Sequence, residues 1–432
     1  MKVRSKVDKK SQIENISALL KPYCKKEDIL LFNQKCKDEP VSGFILNPSF
    51  HGLKELLSDY PNIEADKEDA LSFYFQKSTS PLGKSIYQAG GAFYIMDPSS
   101  SLISRYLVDI LPQSPLVLDL CAAPGGKSIA LSFRRRDALI LANDISYQRA
   151  KEITKNVERL GITNIFALSY DPVDLPSLIV DCVILDAPCS GSGMFRKDSK
   201  MLEDWSQAKV DRLLPIQENL LEIAYKRLKK GGILAYSTCS LSIEEDEGQV
   251  TSFLKRHNDC ELIEIPASSG MIRGKDNVGI HLIPGIYKGE GIYFALIKKK
   301  GDEIIDKTEI KYDGKRKETK YKTFSYNNKM VIADKMYTSL LKLRFINVGI
   351  QVYDDAQYAK CPYYYPYSKL ADDIPLVELT KEEATSYLHG EEIRKKVECN
   401  GLVILTYASM RLGFGKVYQN RIKNYLPKGV RI

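Results

Sequence analysis

The period of the apolar positions changes along the chain and divides it. Over residues 1–80, positions 13–20 and 53–57 recur at helical spacing. Phe44, Ile45 and Leu46 form a short apolar run ending at Asn47-Pro48, and LSFYFQ (71–76) alternates as a strand does. This predicts a small α+β module. Residues 81–100, PLGKSIYQAGGAFYIMDPSS, carry turn signals and a short apolar strand leading into the next unit. From 101 to 300 the pattern alternates strand with helix. LVLDL (116–120), ALILAND (138–144), NIFALSYDP (164–172), LIVDCVILDAPC (178–189), ILAYSTC (233–239) and GIYFALIKK (291–299) read as strands. Helices are expected at 127–135, at 146–160 with Gly161 as stop, and at 206–230 with Gly231-Gly232 as stop. Pro215 predicts a kink or break in the third. Ser242 and Glu245 read as a capping box for a fourth helix, running to His257. Apolar strands separated by helices predict a doubly wound parallel sheet.

A charge-rich, apolar-poor stretch at 298–325 is the best linker. The expected division is an α+β module at 1–90, a central α/β domain at 91–300, a linker at 301–325 and a C-terminal region at 326–432. That region is tyrosine-rich around Tyr363, Tyr364, Tyr365 and Tyr367 and ends in short strands and turns. At 432 residues the chain is too long for one core. Its net charge of +8 allows a polyanionic partner or a simple solubility surplus.

Nine cysteines without a CxxC pair do not make a disulfide scaffold and fit a reducing compartment. Four histidines, His51, His257, His281 and His389, give no zinc-ligand spacing, so no metal is expected. The charged N-terminus lacks an apolar leader core and no run is long enough to span a membrane, so a cytoplasmic location is expected.

Three stretches carry candidate chemistry. The turn LDLCAAPGGKS (118–128) joins a strand to a helix N-terminus, a site for a polar cofactor group. Asp144 lies at the tip of the following strand, where an acid bonds a ribose hydroxyl. The turn lacks GxGxxG, which fits S-adenosylmethionine, a nucleoside cofactor without a pyrophosphate. NAD competes, as does a plain strand-to-helix turn. Cys189 and Cys239 each end an apolar strand, placing two thiols at the carboxyl edge of the sheet. Methylation of a pyrimidine at C5 needs such a nucleophile, because C5 reacts only after a group adds to C6, and a base must then remove the C5 proton. Asp186 is placed to meet the N3 or amino edge of a cytosine. Cys182, within its strand, reads as a small buried apolar residue.

At these residues the chain resembles the Nop/Sun family of RNA cytosine-5 methyltransferases. The matches are LDLCAAPGGKS (118–128), LDAPCSGSGMFRKD (185–198) and YSTCSLSIEEDE (236–247), extending to GAFYIMDPSS (91–100) and GEGIYFALIKK (289–299). The resemblance implies a Rossmann-like S-adenosylmethionine-dependent methyltransferase domain. It implies Cys239 as nucleophile, Cys189 in proton removal and product release, and a catalytic set completed by Asp186 and Lys127. It assigns cofactor contacts to Cys121, Ala122, Ala123, Pro124, Gly125, Gly126, Lys127, Asp144, Asp171 and Asp186. DNA enzymes of related chemistry use the proline-flanked thiol as nucleophile, so Thr238-Cys239 argues for RNA.

Two places depart from the family pattern: Ile45-Leu46-Asn47 stands where an Arg often precedes the Asn, and SYDP replaces the usual glycine-acid pair. The C-terminal stretch 401–432 resembles the PUA-like RNA-binding end of bacterial RsmF/YebU-type rRNA methyltransferases. It offers Phe414, Tyr418 and Tyr425 among Arg411, Lys416, Arg421, Lys423, Lys428 and Arg431. The expectation is a monomer that methylates C5 of cytosine in small-subunit (16S) rRNA, binding the rRNA or the small ribosomal subunit. The same chemistry on tRNA or large-subunit rRNA, and a noncatalytic RNA-binding assembly factor, are the alternatives.

Overall fold

The computed structural model describes residues 9–197, 201, 204–266, 268–309, 323–326, 329–333, 335–352, 374–428 and 431–432. Helices Lys9–Leu19 and Lys26–Lys35 precede a four-stranded antiparallel sheet in the order Glu64–Ala65, Ser72–Phe75, Ser42–Leu46, Phe93–Met96. Its core is aromatic: Phe44 stacks on Phe73 with ring centres 5.0 Å apart and meets Phe93 at 4.5 Å. Phe93–Met96, expected at the head of the central domain, is the fourth strand of this sheet, so the boundary falls after Met96 rather than at 90. Asn47 is structural: its side-chain amide donates to the carbonyls of Gly91 and Leu160, tying the module to the central unit.

The central sheet runs Met271–Arg273, Ile280–Leu282, Ile292–Lys299, Leu228–Thr238, Val180–Asp186, Leu116–Asp119, Leu139–Asn143, Ile165–Leu168, Phe345–Val348. Five neighbouring strands, from Leu228–Thr238 to Ile165–Leu168, are parallel. Both flanks are antiparallel, so the sheet is mixed rather than purely parallel. On one flank, Ile280–Leu282 and Ile292–Lys299 form an antiparallel pair whose second strand adds antiparallel to Leu228–Thr238. Alternate residues face opposite layers. Leu118, Leu141, Phe166 and Leu185 join one core, and Val117, Ile140, Ile165 and Ile184 the other. Cys182 lies fully buried in the second, as its strand position implied.

Helix Gly126–Arg134 follows the glycine turn, and Tyr147–Arg159 is capped by Ser146. Helix Gln207–Arg227 continues through Pro215 and ends at Arg227. Gly231-Gly232 are not its stop. They lie inside strand Leu228–Thr238, at an irregular register where Gly231 takes φ +80°. The buried Leu228, paired with Val180, starts that strand early. Nor do Ser242 and Glu245 close a capping box. The helix begins later, at Glu247–Arg256, because the Glu245 carboxylate is drawn inward to other partners.

Strands Thr323–Tyr326, Lys329–Ile332 and Ile350–Val352 form a small antiparallel sheet, and Phe345–Val348 returns to the edge of the central sheet. The region expected to begin a separate unit at 326 therefore contributes a strand to the central one. The tail forms a five-stranded sheet in the order Leu376–Glu378, Gly401–Tyr407, Met410–Tyr418, Arg421–Asn424, Ile393–Arg394, with helix Lys381–His389 against it. Here a capping box does form, between Thr380 and Glu383. Val403, Leu405, Met410 and Leu412 share a core with Phe44, Leu56 and Phe93 of the N-terminal module. Phe414 is buried against Ile404 and offers no stacking face, whereas Tyr418 is 67% exposed. Tyr363, Tyr364, Tyr365 and Tyr367, and most of the charged linker, lie outside the described residues. Among the described residues no helix is long and apolar enough to cross a membrane.

Candidate active site

The glycine turn is shaped by its own backbone. Ala122 N donates to Asn143 O, and Gly125 N to Ala122 O, both at 2.7 Å. Gly125 takes φ +105°, a left-handed conformation suited to glycine, and hands over to helix Gly126–Arg134. The Ala123–Pro124 peptide is cis. Beneath the turn, Asp119 is buried and accepts from Ser128 Oγ at 2.7 Å, and burial pushes its carboxyl up to about 7. Asp144 is also buried. It accepts from Ala123 N at 3.3 Å and Ser146 N at 3.0 Å and pairs with Arg149 at 3.4 Å. Asp171 is exposed in the third strand's loop and accepts from Val173 N.

A cavity of about 510 Å³ opens at the carboxyl ends of the parallel strands. Cys121, Ala123, Asp144, Asp171 and Asp186 line one side, and Cys189 and Cys239 lie at its end. Ala122, Pro124, Gly125, Gly126 and Lys127 do not line it; they build the turn behind it. Lys127 reaches the cavity only through Asp186, with Nζ 2.6 Å from Oδ2. Burial disfavours the Lys127 ammonium, but the charge and hydrogen bond of Asp186 outweigh it and hold the group above its ordinary value. The Asp186 Oδ1 accepts from Ser237 Oγ at 2.9 Å. The far wall comes from helix Gln207–Arg227, through Lys209, Ile216, Asn219 and Ile223. None of these four was singled out from the sequence. Their i, i+3, i+4 spacing signals a helix face, but not which partner that face meets.

The two thiols lie 3.0 Å apart, sulfur to sulfur. Cys239 N also donates to Cys189 Sγ, at 3.2 Å. Either thiol can donate its S–H to the other across this contact. The hydrogen bond with Cys239, then burial, then the nearby charges of Cys239, Glu245 and Asp186 push the Cys189 thiol well up. Cys121, on the cavity wall, is pushed up to about 12, by burial first. Gly193 and Gly291 let the two motif loops touch. A side chain on Gly193 would meet Gly291 O at 2.3 Å, and the two backbones are joined by Gly291 N donating to Gly193 O at 2.8 Å. Arg196 closes on the buried Glu290 through two hydrogen bonds, anchoring the loop after Cys189.

Behind Thr238, sequence-distant groups meet. Asp246, Glu247 and His281 gather with one ligand-type atom each within 4.8 Å. The fold joins them by a His281 Nε2 to Glu247 hydrogen bond at 2.9 Å and by Thr238 donating to Asp246. Tyr23 of the N-terminal helical segment stacks on His281 at 3.9 Å.

Residues 110–298 match the family model described as 16S rRNA methyltransferase RsmB/F, and residues 375–432 that of the methyltransferase RsmF PUA domain. Proteins named ribosomal RNA small subunit methyltransferase F are similar over most of their length. The one from Vibrio parahaemolyticus is 29% identical, covering 82% of each chain, and the one from Aliivibrio fischeri MJ11 is 28% identical with the same coverage. The crystal structure of NSun6 from Pyrococcus horikoshii with SFG shares the fold at TM-score 0.58 and 20% identity, covering 68% of this chain and 98% of that one. A methyltransferase homolog protein from the same organism gives TM-score 0.55 at 24% identity, covering 68% and 100%. The chain belongs to the RsmB/F family of S-adenosylmethionine-dependent RNA cytosine-5 methyltransferases and carries a PUA domain of the RsmF type.

Proposed function

We propose that this enzyme methylates C5 of cytosine in 16S rRNA through a covalent adduct on Cys239. The observation that carries the proposal is the thiol pair, 3.0 Å apart at the end of a cavity that Asp144, Asp171 and Asp186 also line. The cavity fits a nucleoside cofactor. Its volume lies in the range of small-molecule sites, its walls are mostly apolar, and carboxylates reach it from three successive strand ends. Cys121, Ala123, Asp144 and Asp171 would hold S-adenosylmethionine, with Ala122, Pro124, Gly125 and Gly126 shaping the turn. When bound, the cofactor supplies the methyl group.

The chain's own groups do the rest. Cys239 releases its proton to solvent and, as the thiolate, adds through Sγ to C6 of the cytosine. Asp186, held by Lys127 and Ser237, faces the N3 and amino edge and orients the ring as C5 gains electron density. After transfer, Cys189 takes part in removing the C5 proton, and the Cys239–C6 bond breaks to release the base. A paired base reaches these thiols only when flipped out of its helix. The names of the relatives and the family description favour 16S rRNA, and the exposed Tyr418 beside Lys416 and Arg421 suits contacts to unpaired RNA. Bisulfite sequencing of 16S rRNA, 23S rRNA and tRNA, with and without the gene, tests this. A 5-methylcytosine lost only from 16S rRNA is expected. Loss from tRNA or 23S rRNA alone would redirect the substrate, and no loss anywhere would refute the proposal.

A further inference from the structure

Each active-site thiol is followed by a serine, and both serines hang on one buried carboxylate. Glu245 Oε1 accepts from Ser190 N at 2.8 Å and from Gln217 Nε2 at 3.0 Å. Its Oε2 accepts from Ser190 Oγ and Ser240 Oγ, each at 2.6 Å. Four donors from three elements thus converge on a side chain with no solvent exposure. Gln217, on the helix that walls the cavity, also donates to Pro188 O at 2.9 Å, bracing the residue before Cys189. A carboxylate suits this place because it alone among side chains accepts four hydrogen bonds and donates none. Among the described residues no Lys or Arg forms an ion pair with it. Lys209 Nζ instead donates to Ser190 O, at 2.9 Å. The carboxyl therefore meets hydroxyl, amide and backbone donors rather than a cation, next to Cys189.

We infer that Glu245 is a positioning residue for methyl transfer: it fixes the spacing of Cys189 and Cys239 by holding the serine after each, and it sets a carboxylate beside Cys189. The inference rests on the proposed function for the reaction, but not for the behaviour of the thiols. The groups around Cys189 are Cys239, Glu245, Asp186 with its Lys127 partner, Tyr236 and Lys209. The Glu245 charge is among the causes that push the Cys189 thiol up. Removing it while keeping the shape should lower Cys189, together with Tyr236 and Asp246, which face the same charge. Glu245→Gln does this, because its oxygen keeps the Ser190 N and Gln217 bonds and its amide N–H groups bridge both serines once both hydroxyls turn to accept. Glu245→Ala removes bridge and charge together.

The test uses the full chain. The rate of iodoacetamide modification of Cys189 is followed against pH by peptide mass spectrometry without RNA, and kcat and KM are measured on RNA. Glu245→Gln is expected to lower the pH midpoint for Cys189 and keep kcat within about tenfold. Glu245→Ala is expected to lower the same midpoint and reduce kcat by about a hundredfold or more, with KM for RNA little changed. An unmoved Cys189 midpoint in Glu245→Gln overturns the charge role. A wild-type kcat in Glu245→Ala overturns the positioning role. Should the Ala variant fail to fold, the Gln profile alone decides. A wild-type enzyme that methylates no RNA would defeat the proposed function, and the alkylation profile would still decide the role of Glu245.

Discussion

Lys127→Met probes the link between the cofactor turn and the catalytic edge. The ammonium is 10% exposed and sits 2.6 Å from Asp186 Oδ2, whose side chain is 40% exposed. Removing one partner of a fully buried pair costs about 3–5 kcal/mol, whereas a surface pair contributes about 0–1 kcal/mol. Asp186 stands between these limits, since water can take over part of the lost contact, so a cost of about 2 kcal/mol is expected. The methionine fills the stem's volume, which leaves the charge as the main loss. The sign with pH follows from the direction of the shift. Lys127 is held above its ordinary value, so its contribution is complete below the unfolded lysine value of about 10.4 and fades as pH rises through the folded one. Hence the cost should be steady between about pH 8 and 9 and smaller below about 7, where the neighbouring Asp119 carboxyl, which the Lys127 charge also favours, is neutral.

Trp205, the single tryptophan, immediately precedes the helix over the cavity and reports urea unfolding of the central unit by fluorescence. A double-mutant cycle with Asp186→Asn isolates the pair, with a coupling of about 1–2 kcal/mol expected. A Lys127→Met cost that is undiminished in the Asp186→Asn background would refute the reasoning.

Asp119→Asn should level a pH dependence. The folded carboxyl titrates at about 7 because of burial, against about 3.9 unfolded, so stability is full below the unfolded value and lost as pH rises towards and through 7. The whole loss is on the order of 4 kcal/mol, of which about 3 kcal/mol falls between pH 5 and pH 8, and urea midpoints at those two pH values should converge in the variant relative to wild type; an unchanged gap would refute the assignment. Phe414→Ala and Tyr418→Ala should separate packing from recognition in the tail. The buried Phe414 should cost about 3 kcal/mol in stability, and the exposed Tyr418 less than about 0.5 kcal/mol. In RNA filter binding at fixed salt, Tyr418→Ala should weaken affinity by about 1–3 kcal/mol, and unchanged binding would remove Tyr418 from the interface.

The strands of the central unit were legible because buried strands must be apolar and the turns between them polar or glycine-rich. The thiols were legible because each ends such a strand. What failed were features that depend on a partner distant in the chain. Glu245 reads locally as a capping residue, yet Ser190 and Ser240 claim its carboxylate. Gly231-Gly232 reads as a helix stop, yet pairing with Val180–Asp186 extends the strand through it. Phe414 reads as a stacking platform among basic residues, yet its strand turns it onto Ile404. The direction of the flanking strands was hidden for the same reason: GIYFALIKK (291–299) read as a strand, but periodicity gives a strand's faces, not its neighbour or direction. The cofactor turn was found as a unit, though only Cys121 and Ala123 of its named residues face the cavity.

The central claim is the division of labour between two thiols 3.0 Å apart. It is tested most directly by incubating the Cys189→Ala and Cys239→Ala variants with substrate RNA and methyl donor and resolving the products by denaturing electrophoresis. The account predicts a covalent protein–RNA band for Cys189→Ala, where the adduct forms and release stalls. It predicts neither a band nor methyl transfer for Cys239→Ala. A band that persists in Cys239→Ala and vanishes in Cys189→Ala would contradict it and exchange the two roles.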